Sequence, residues 1–222
     1  METTLTEFER FTNMLVKYLS SAISRDVIPS KWIDGQEGSK ERMLHGRMLG
    51  ILAKTGDTLD YVVEIDSGFS YFTTGHNKRQ FRPDIQLWSE EPKLQFLVEY
   101  EGTNSQDSRI FRKDLQYYHD SKDCEYPPQY WVILYTFPDH PVEKTPQWLR
   151  QENTFDSFTE KRFRRNPHSY FKGLLDSEIS MYVDKGSNWE ERKLFLMNFT
   201  STGLEIDFPK NLRSKYQFVK TD

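Results

Sequence analysis

The feature that most constrains the fold is an almost unbroken apolar and aromatic run, Tyr-Trp-Val-Ile-Leu-Tyr-Thr-Phe, at residues 130–137. A strand with one face in water alternates apolar and polar residues, and this run does not alternate. It therefore predicts a central strand that is buried on both faces of a sheet. The chain has 222 residues, a length that suits one domain, so we predict a single domain over 1–222.

Hydrophobic periodicity predicts the elements that precede this strand. Apolar residues recur at helical spacing early in the chain, and the spacing then changes to that of strands. The predicted order is helices over about 4–22 and 40–54, strands over about 59–65, 81–88 and 94–101, a helix over about 107–119, and the strand over 130–137. Residues 67–80 are typical of a hairpin or a loop. We expect an α/β (α+β) fold with a mixed central β-sheet flanked by helices.

The C-terminal third has no motif of known chemistry. Residues 145–176 are helical in pattern, in separate pieces, and the segments KLFLMNF and LEIDF flank Ser201-Thr202-Gly203. This predicts additional C-terminal helices and a β-hairpin. Residues 145–222 are thus an elaboration of the core. This elaboration could be a recognition lobe, a dimer surface or a scaffold.

Composition excludes several classes of protein. No segment approaches the roughly 20 apolar residues that span a bilayer, and the N-terminal residues lack the pattern of a signal peptide. The single Cys124 excludes a disulfide framework and a cysteine-rich zinc site. We therefore expect a soluble, cytoplasmic protein with no membrane partner. The formal net charge is −4, so any contact with nucleic acid has to come from a local basic patch.

Three carboxylates lie in segments that otherwise look like core strands. Asp84 lies in FRPDIQLW, and Glu99 and Glu101 lie in LVEYEG. Residues two apart on a strand point to the same face, so Glu99 and Glu101 share one. Antiparallel pairing of the two strands would bring Asp84 close to Glu99. Like charges so close repel, and a divalent cation such as Mg²⁺ removes that penalty.

The motif Pro83-Asp84 followed by Glu99-Tyr100-Glu101, in strands followed by a helix, resembles the PD-(D/E)xK nuclease superfamily. The resemblance covers about residues 40–136 and implies a restriction endonuclease-like core. It implies that Asp84, Glu99 and the main-chain carbonyl of Tyr100 bind Mg²⁺ or Mn²⁺. An acid on the helix before the sheet often completes such sites, and Glu41 takes that position here.

The departure from the family pattern is at the third motif position, where the family usually has lysine and this chain has Glu101. Some restriction endonucleases carry glutamate there, so Glu101 is a candidate base or second-metal ligand. Lys113, on the next predicted helix, is the alternative as a migrated lysine, although its helical position also suits a residue that faces water. His45 is the histidine that this prediction places nearest the acids. Such a histidine more often has a structural role than a catalytic one.

Two groups of basic residues are candidates for phosphate binding. Arg79 and Arg82 precede Asp84 in the chain, and the run KRFRR contributes Lys161, Arg162, Arg164 and Arg165. Such cations neutralise backbone phosphates. They equally suit a solvated loop and a solvated helix end.

The resemblance implies a Mg²⁺-dependent endonuclease that hydrolyses phosphodiester bonds, with DNA as its partner. Many such nucleases act as homodimers, and that option stays open. The missing lysine motivates an alternative, a catalytically inactive nuclease-like fold that binds nucleic acid or protein. A third reading is a structural or assembly protein that uses exposed aromatic residues.

Overall fold

A computed structural model describes most of the chain. The described residues are 6–33, 41–66, 70–74, 77–90, 93–102, 114–115, 118, 126–138, 140–143, 145, 156–183, 193–208 and 215–218. For residues 41–42, 70–74, 77–81, 175, 178, 181–183, 193, 208 and 215 the description covers the backbone alone. No helix within these ranges is long and apolar enough to cross a membrane.

The described elements comprise five helices and nine strands. The helices are α1 (Glu7–Ser24), α2 (Ser30–Ile33), α3 (Glu41–Thr58), α4 (Ser157–Arg165) and α5 (Pro167–Val183). The strands are β1 (Val62–Ile65), β2 (Ser70–Thr74), β3 (Asn77–Phe81), β4 (Ile85–Trp88), β5 (Leu94–Gly102), β6 (Tyr130–Thr136), β7 (Lys193–Phe199), β8 (Gly203–Phe208) and β9 (Lys215–Gln217). Residues 114, 115 and 118 are helical and are called the Asp114 segment below.

Seven strands form one mixed sheet in the order β1-β4-β5-β6-β7-β8-β9. The pairs β5–β6 and β6–β7 are parallel, and the other pairs are antiparallel. The strand β6 is the fourth of the seven, and all its residues are buried. This confirms that the apolar run at 130–137 is a central strand and that the fold is mixed α/β. The strands β2 and β3 form a separate hairpin.

Each face of the sheet carries its own hydrophobic core. On one face α1 and α3 pack against alternate residues of the strands, including Phe96, Val98 and Tyr100 of β5. The other face carries Leu97, Leu115 and Trp131, together with buried residues of α4 and α5. The sheet is therefore covered on both sides, as the lack of alternation in β6 requires.

The expected boundaries were wrong at two places. The strand predicted over 81–88 is broken, because β3 ends at Phe81 and β4 begins at Ile85. Pro83 cannot donate a ladder hydrogen bond, which explains the break. The helix predicted to end before Gly56 continues to Thr58. The hairpin predicted in the C-terminal third is confirmed as β7 and β8.

Candidate metal centre

The two glutamates of β5 share one face of the sheet, as their spacing predicted. All nine residues of β5 are buried, and Phe96, Val98 and Tyr100 belong to the core under α1 and α3. Glu99 and Glu101 alternate with these residues, so they point to the opposite face. Both glutamates are therefore enclosed rather than exposed to water.

Asp114 completes a group of three carboxylates. Glu99 is 4 % exposed, Glu101 is 7 % exposed and Asp114 is fully buried. One carboxylate oxygen from each lies within 4.8 Å of the others. The Asp114 segment packs on this face of the sheet through Leu115 and Tyr118, which belong to the core there. The helix that follows β5 thus brings Asp114 over the ends of Glu99 and Glu101.

The separation of these oxygens fits a shared cation. Mg²⁺ binds oxygen at about 2.0–2.1 Å and Ca²⁺ at about 2.3–2.6 Å, so two ligand oxygens of one ion lie at most about 4.2 Å apart around Mg²⁺ and about 5.2 Å apart around Ca²⁺. Carboxylates buried together repel when ionised, and a divalent cation between them offsets that repulsion. The group therefore fits a hard divalent metal ion in ligand type, number and spacing.

Asp84 lies beside this group but does not belong to it. It is in the bend before β4, not inside a strand. Its Oδ2 accepts a hydrogen bond from the main-chain N–H of Tyr100 at 2.8 Å. Its Oδ1 lies 3.4 Å from His45 Nε2, and the His45 ring contacts the Tyr100 ring at 5.7 Å between centroids. Asp84 therefore holds the backbone between the two glutamates and also contacts α3.

The other residues predicted for the site have different outcomes. Tyr100, whose carbonyl was a predicted ligand, pairs with Leu134 of β6, and its hydroxyl donates to Thr136 Oγ1 at 3.0 Å. Glu41 is the first residue of α3, and its side chain lies outside the description. Lys113 lies outside the described residues altogether.

The basic residues predicted to bind phosphate lie in two places, before Asp84 and on α4. Arg79 lies in β3, and its side chain is not described, whereas Arg82 is exposed just before Asp84. On α4, Lys161, Arg162, Arg164 and Arg165 are exposed around the fully buried Phe163. We call these four residues the α4 basic surface. Over the ranges given above, none of the four forms an ion pair with a carboxylate.

A second polar cluster lies across the same face of the sheet. Tyr135 of β6 is the register partner of Glu101. Its hydroxyl donates to Asp207 Oδ2 on β8, and the same oxygen lies 3.0 Å from His168 Nε2. Lys172 Nζ of α5 donates to Asp207 Oδ1. The cluster ties α5 to the sheet beside the three carboxylates.

Sequence reasoning missed Asp114, although a signal for it existed. In the helix predicted over about 107–119, apolar residues recur at Phe111, Leu115 and Tyr118, and Asp114 falls at the same helical spacing. An acid within an apolar stripe is either paired or bound to a cation when buried. It missed the Asp207 cluster because its members are 72 residues apart at most, and no local motif joins them.

Comparisons of this chain with protein-family models, with curated proteins and with solved structures gave no match.

Proposed function

We propose that this protein is a divalent-metal-dependent nuclease that hydrolyses phosphodiester bonds, with DNA as its substrate. The observation that carries the proposal is the convergence of Glu99, Glu101 and Asp114 on one face of the sheet. Two of these acids lie near the carboxyl end of a parallel strand, where open α/β sheets commonly bind ligands.

The order of the elements supports a restriction endonuclease-like core. The helix α3 is followed by the antiparallel strands β1, β4 and β5, by the Asp114 segment, and by β6 parallel to β5. This is the helix, three strands, helix and strand that the resemblance to PD-(D/E)xK nucleases implies. The β2–β3 hairpin is an insertion between β1 and β4.

In this proposal Glu99, Glu101 and Asp114 hold Mg²⁺ or Mn²⁺. The metal supplies Lewis-acid polarisation of the phosphate and a more acidic bound water. Asp84 fixes the main-chain N–H of Tyr100, so it sets the direction of the strand between the two glutamates. Arg82 and the α4 basic surface supply cations for the backbone phosphates.

The test is cleavage of supercoiled, linear and single-stranded DNA with Mg²⁺ or Mn²⁺. We expect metal-dependent cleavage by the wild type and a loss of at least a hundredfold in Glu99→Gln and Glu101→Gln, since removing a charged stabilising group costs about two orders of magnitude or more. Glutamine preserves the size of the buried side chain. The exposed Glu143→Gln is the matched control and should cleave normally. Absence of metal-dependent cleavage, or cleavage unaffected by either variant, would contradict the proposal.

The burial of the three carboxylates favours a second candidate. All three are at least nine-tenths buried, which suits a metal that stabilises a non-catalytic fold used for binding nucleic acid or protein. This candidate predicts metal binding by calorimetry and DNA binding by fluorescence anisotropy, with no turnover under any metal. Measuring binding and cleavage on the same samples distinguishes the two candidates.

A further inference from the structure

A cleft lies at the end of β5 opposite to the metal centre. Its volume is about 410 Å³. It is lined by Asp60, Tyr61, Ser89, Glu90, Lys93 and Gln95. These residues come from the turn after α3, from the β4–β5 connection and from the start of β5. They are called the Gln95 cleft below. None of them belongs to the candidate metal centre or to the Asp207 cluster.

Gln95 is aimed into this cleft by a β-bulge. The β4–β5 register pairs Leu87 with Phe96 and then Trp88 with Leu94, so Gln95 is the extra residue. A bulge redirects the side chain of the extra residue, and bulges are frequent beside binding sites. Gln95 is 95 % buried, and within the described ranges its Oε1 has no hydrogen-bond partner. A buried carbonyl oxygen in this condition requires an N–H or O–H donor.

The rim of the cleft carries more negative than positive charge. Asp60 and Glu90 are exposed carboxylates, and Lys93 is the exposed cation between β4 and β5. Among the residues that the structure describes, neither carboxylate forms an ion pair with Lys93. The rim therefore attracts a positive group whose N–H donors can reach carboxylate oxygens.

The backbone holds Asp60 at this rim. Asp60 has a left-handed backbone conformation, with a φ of 62°. Asp26 has a similar conformation, with a φ of 53°. The N–H of Asp60 donates to the carbonyl of Asp57 at 3.1 Å, and the N–H of Tyr61 donates to the carbonyl of Gly56 at 3.1 Å. Tyr61 packs edge-on against Phe96, with 5.8 Å between ring centroids. One wall of the cleft is thus fixed to the core of the sheet.

We infer that the Gln95 cleft binds an organic cation with N–H donors, an alkylammonium or guanidinium group. The cation donates to Gln95 Oε1 at the floor of the cleft and to the carboxylates of Asp60 and Glu90 at its rim. This chemistry is shared by free amines and by lysine or arginine side chains of a peptide. The site is separate from the proposed nuclease centre and does not depend on it.

Titration of the full chain with agmatine and with a blocked arginine peptide, followed by calorimetry, tests this inference. We expect saturable binding of at least one of the two, and the tighter ligand identifies the source. The matching citrulline peptide is a neutral analogue of the arginine peptide and should bind roughly tenfold more weakly or worse. Asp60→Asn and Glu90→Gln should each weaken binding by roughly tenfold.

The variant Gln95→Met distinguishes a role of Gln95 in binding from a role in stability. Methionine removes the buried oxygen at similar size, so we expect a thermal midpoint equal to or above that of the wild type, with binding lost. Asp26→Asn is the matched control, because Asp26 is also exposed and left-handed but does not line the cleft. The inference is overturned if neither cation binds, if citrulline binds as well as arginine, or if the Asp26 variant weakens binding as much as the Asp60 variant.

Discussion

Asp207 is a buried carboxylate that its neighbours keep ionised. Burial alone would raise its pKa, but hydrogen bonds from His168, Lys172 and Tyr135 outweigh burial and lower the pKa from 3.8 to about 2. Burial first, and then the charge of Asp207, raise the pKa of Tyr135 well above its ordinary value. Tyr135 therefore keeps its proton and donates to Asp207. This hydrogen bond fixes the side chain of Tyr135, which is the register partner of Glu101.

This pKa shift predicts how Asp207 affects stability at different pH values. A carboxylate with a lowered folded-state pKa contributes stability above the unfolded pKa of about 4, and the contribution is lost as the pH falls towards 2. Asp207→Asn should lower the free energy of unfolding by about 2 kcal/mol at pH 7. The difference from the wild type should shrink between pH 4 and pH 2 in urea unfolding. A difference that stays constant over that interval would refute the assignment, and the exposed Asp57→Asn serves as control.

Repulsion among the three buried carboxylates leads to a prediction that needs no enzyme activity. Glu101→Gln removes one of three acids that lie within 4.8 Å of one another. Without metal the variant should be as stable as the wild type or more stable, because like charges no longer repel. Millimolar Mg²⁺ or Mn²⁺ should raise the thermal midpoint of the wild type and have a much smaller effect on the variant. Equal stabilisation of both proteins would show that Glu101 is not a ligand.

The residues of the site could be predicted from the sequence only where the spacing of residues along one element determines which face they share. The shared face of Glu99 and Glu101 follows from strand alternation, which two residues suffice to define. The membership of Asp114 depends on how a helix docks on the sheet, and the contact of Asp84 with Tyr100 depends on the break at Pro83. Neither contact follows from sequence spacing alone.

The helix α3 shows how one element is fitted to the sheet. A Cβ on Gly56 would lie 2.4 Å from Leu87 Cδ2 and 3.0 Å from Val63 Cγ2, so the glycine allows α3 to approach β1 and β4 closely. A Cβ on Gly50 would meet no atom within 4 Å. This approach also positions His45, on the same helix, beside Asp84.

The two glycines predict opposite effects of the same substitution. Gly56→Ala should lower the free energy of unfolding by about 1–3 kcal/mol, because the new methyl group overlaps packed side chains. Gly50→Ala should raise it by about 0.5–1 kcal/mol, because alanine favours the helix at an exposed position. Chemical denaturation of both variants measures the pair. Equal effects of the two substitutions would contradict the close approach of α3 to the sheet.

Elements were predictable where periodicity alone decides them. The run at 130–137 identified β6, and the turn residues 201–203 identified the β7–β8 hairpin. The predicted end of α3 at about residue 54 was wrong, because Gly56 lies within the helix and packs closely against the sheet. The pairing of β7 with β6 was not predictable, since this parallel pairing joins segments far apart in the chain.

The charge of the whole molecule is unevenly arranged. The formal net charge is −4, yet the α4 basic surface presents four exposed cations within five residues. Phe163 anchors this helix in the core, and the carbonyl of Arg164 accepts a hydrogen bond from Val142 N–H at 2.8 Å. The four cations therefore lie on a helix that is attached to the core. This arrangement favours contact with a polyanion, because the cations keep fixed positions relative to one another.

Reversing two of these charges tests whether the surface binds nucleic acid. Arg162→Glu with Arg165→Glu should weaken DNA binding and reduce the slope of log affinity against log salt by about 1.8, since each phosphate contact contributes about 0.9. The control is Lys17→Glu on α1 with Arg25→Glu at the C-cap of that helix, which reverses two exposed cations and gives the same net charge. Fluorescence anisotropy over a range of KCl concentrations measures both slopes. If the two double variants lose affinity equally, total charge explains binding, and the α4 basic surface has no specific part in it.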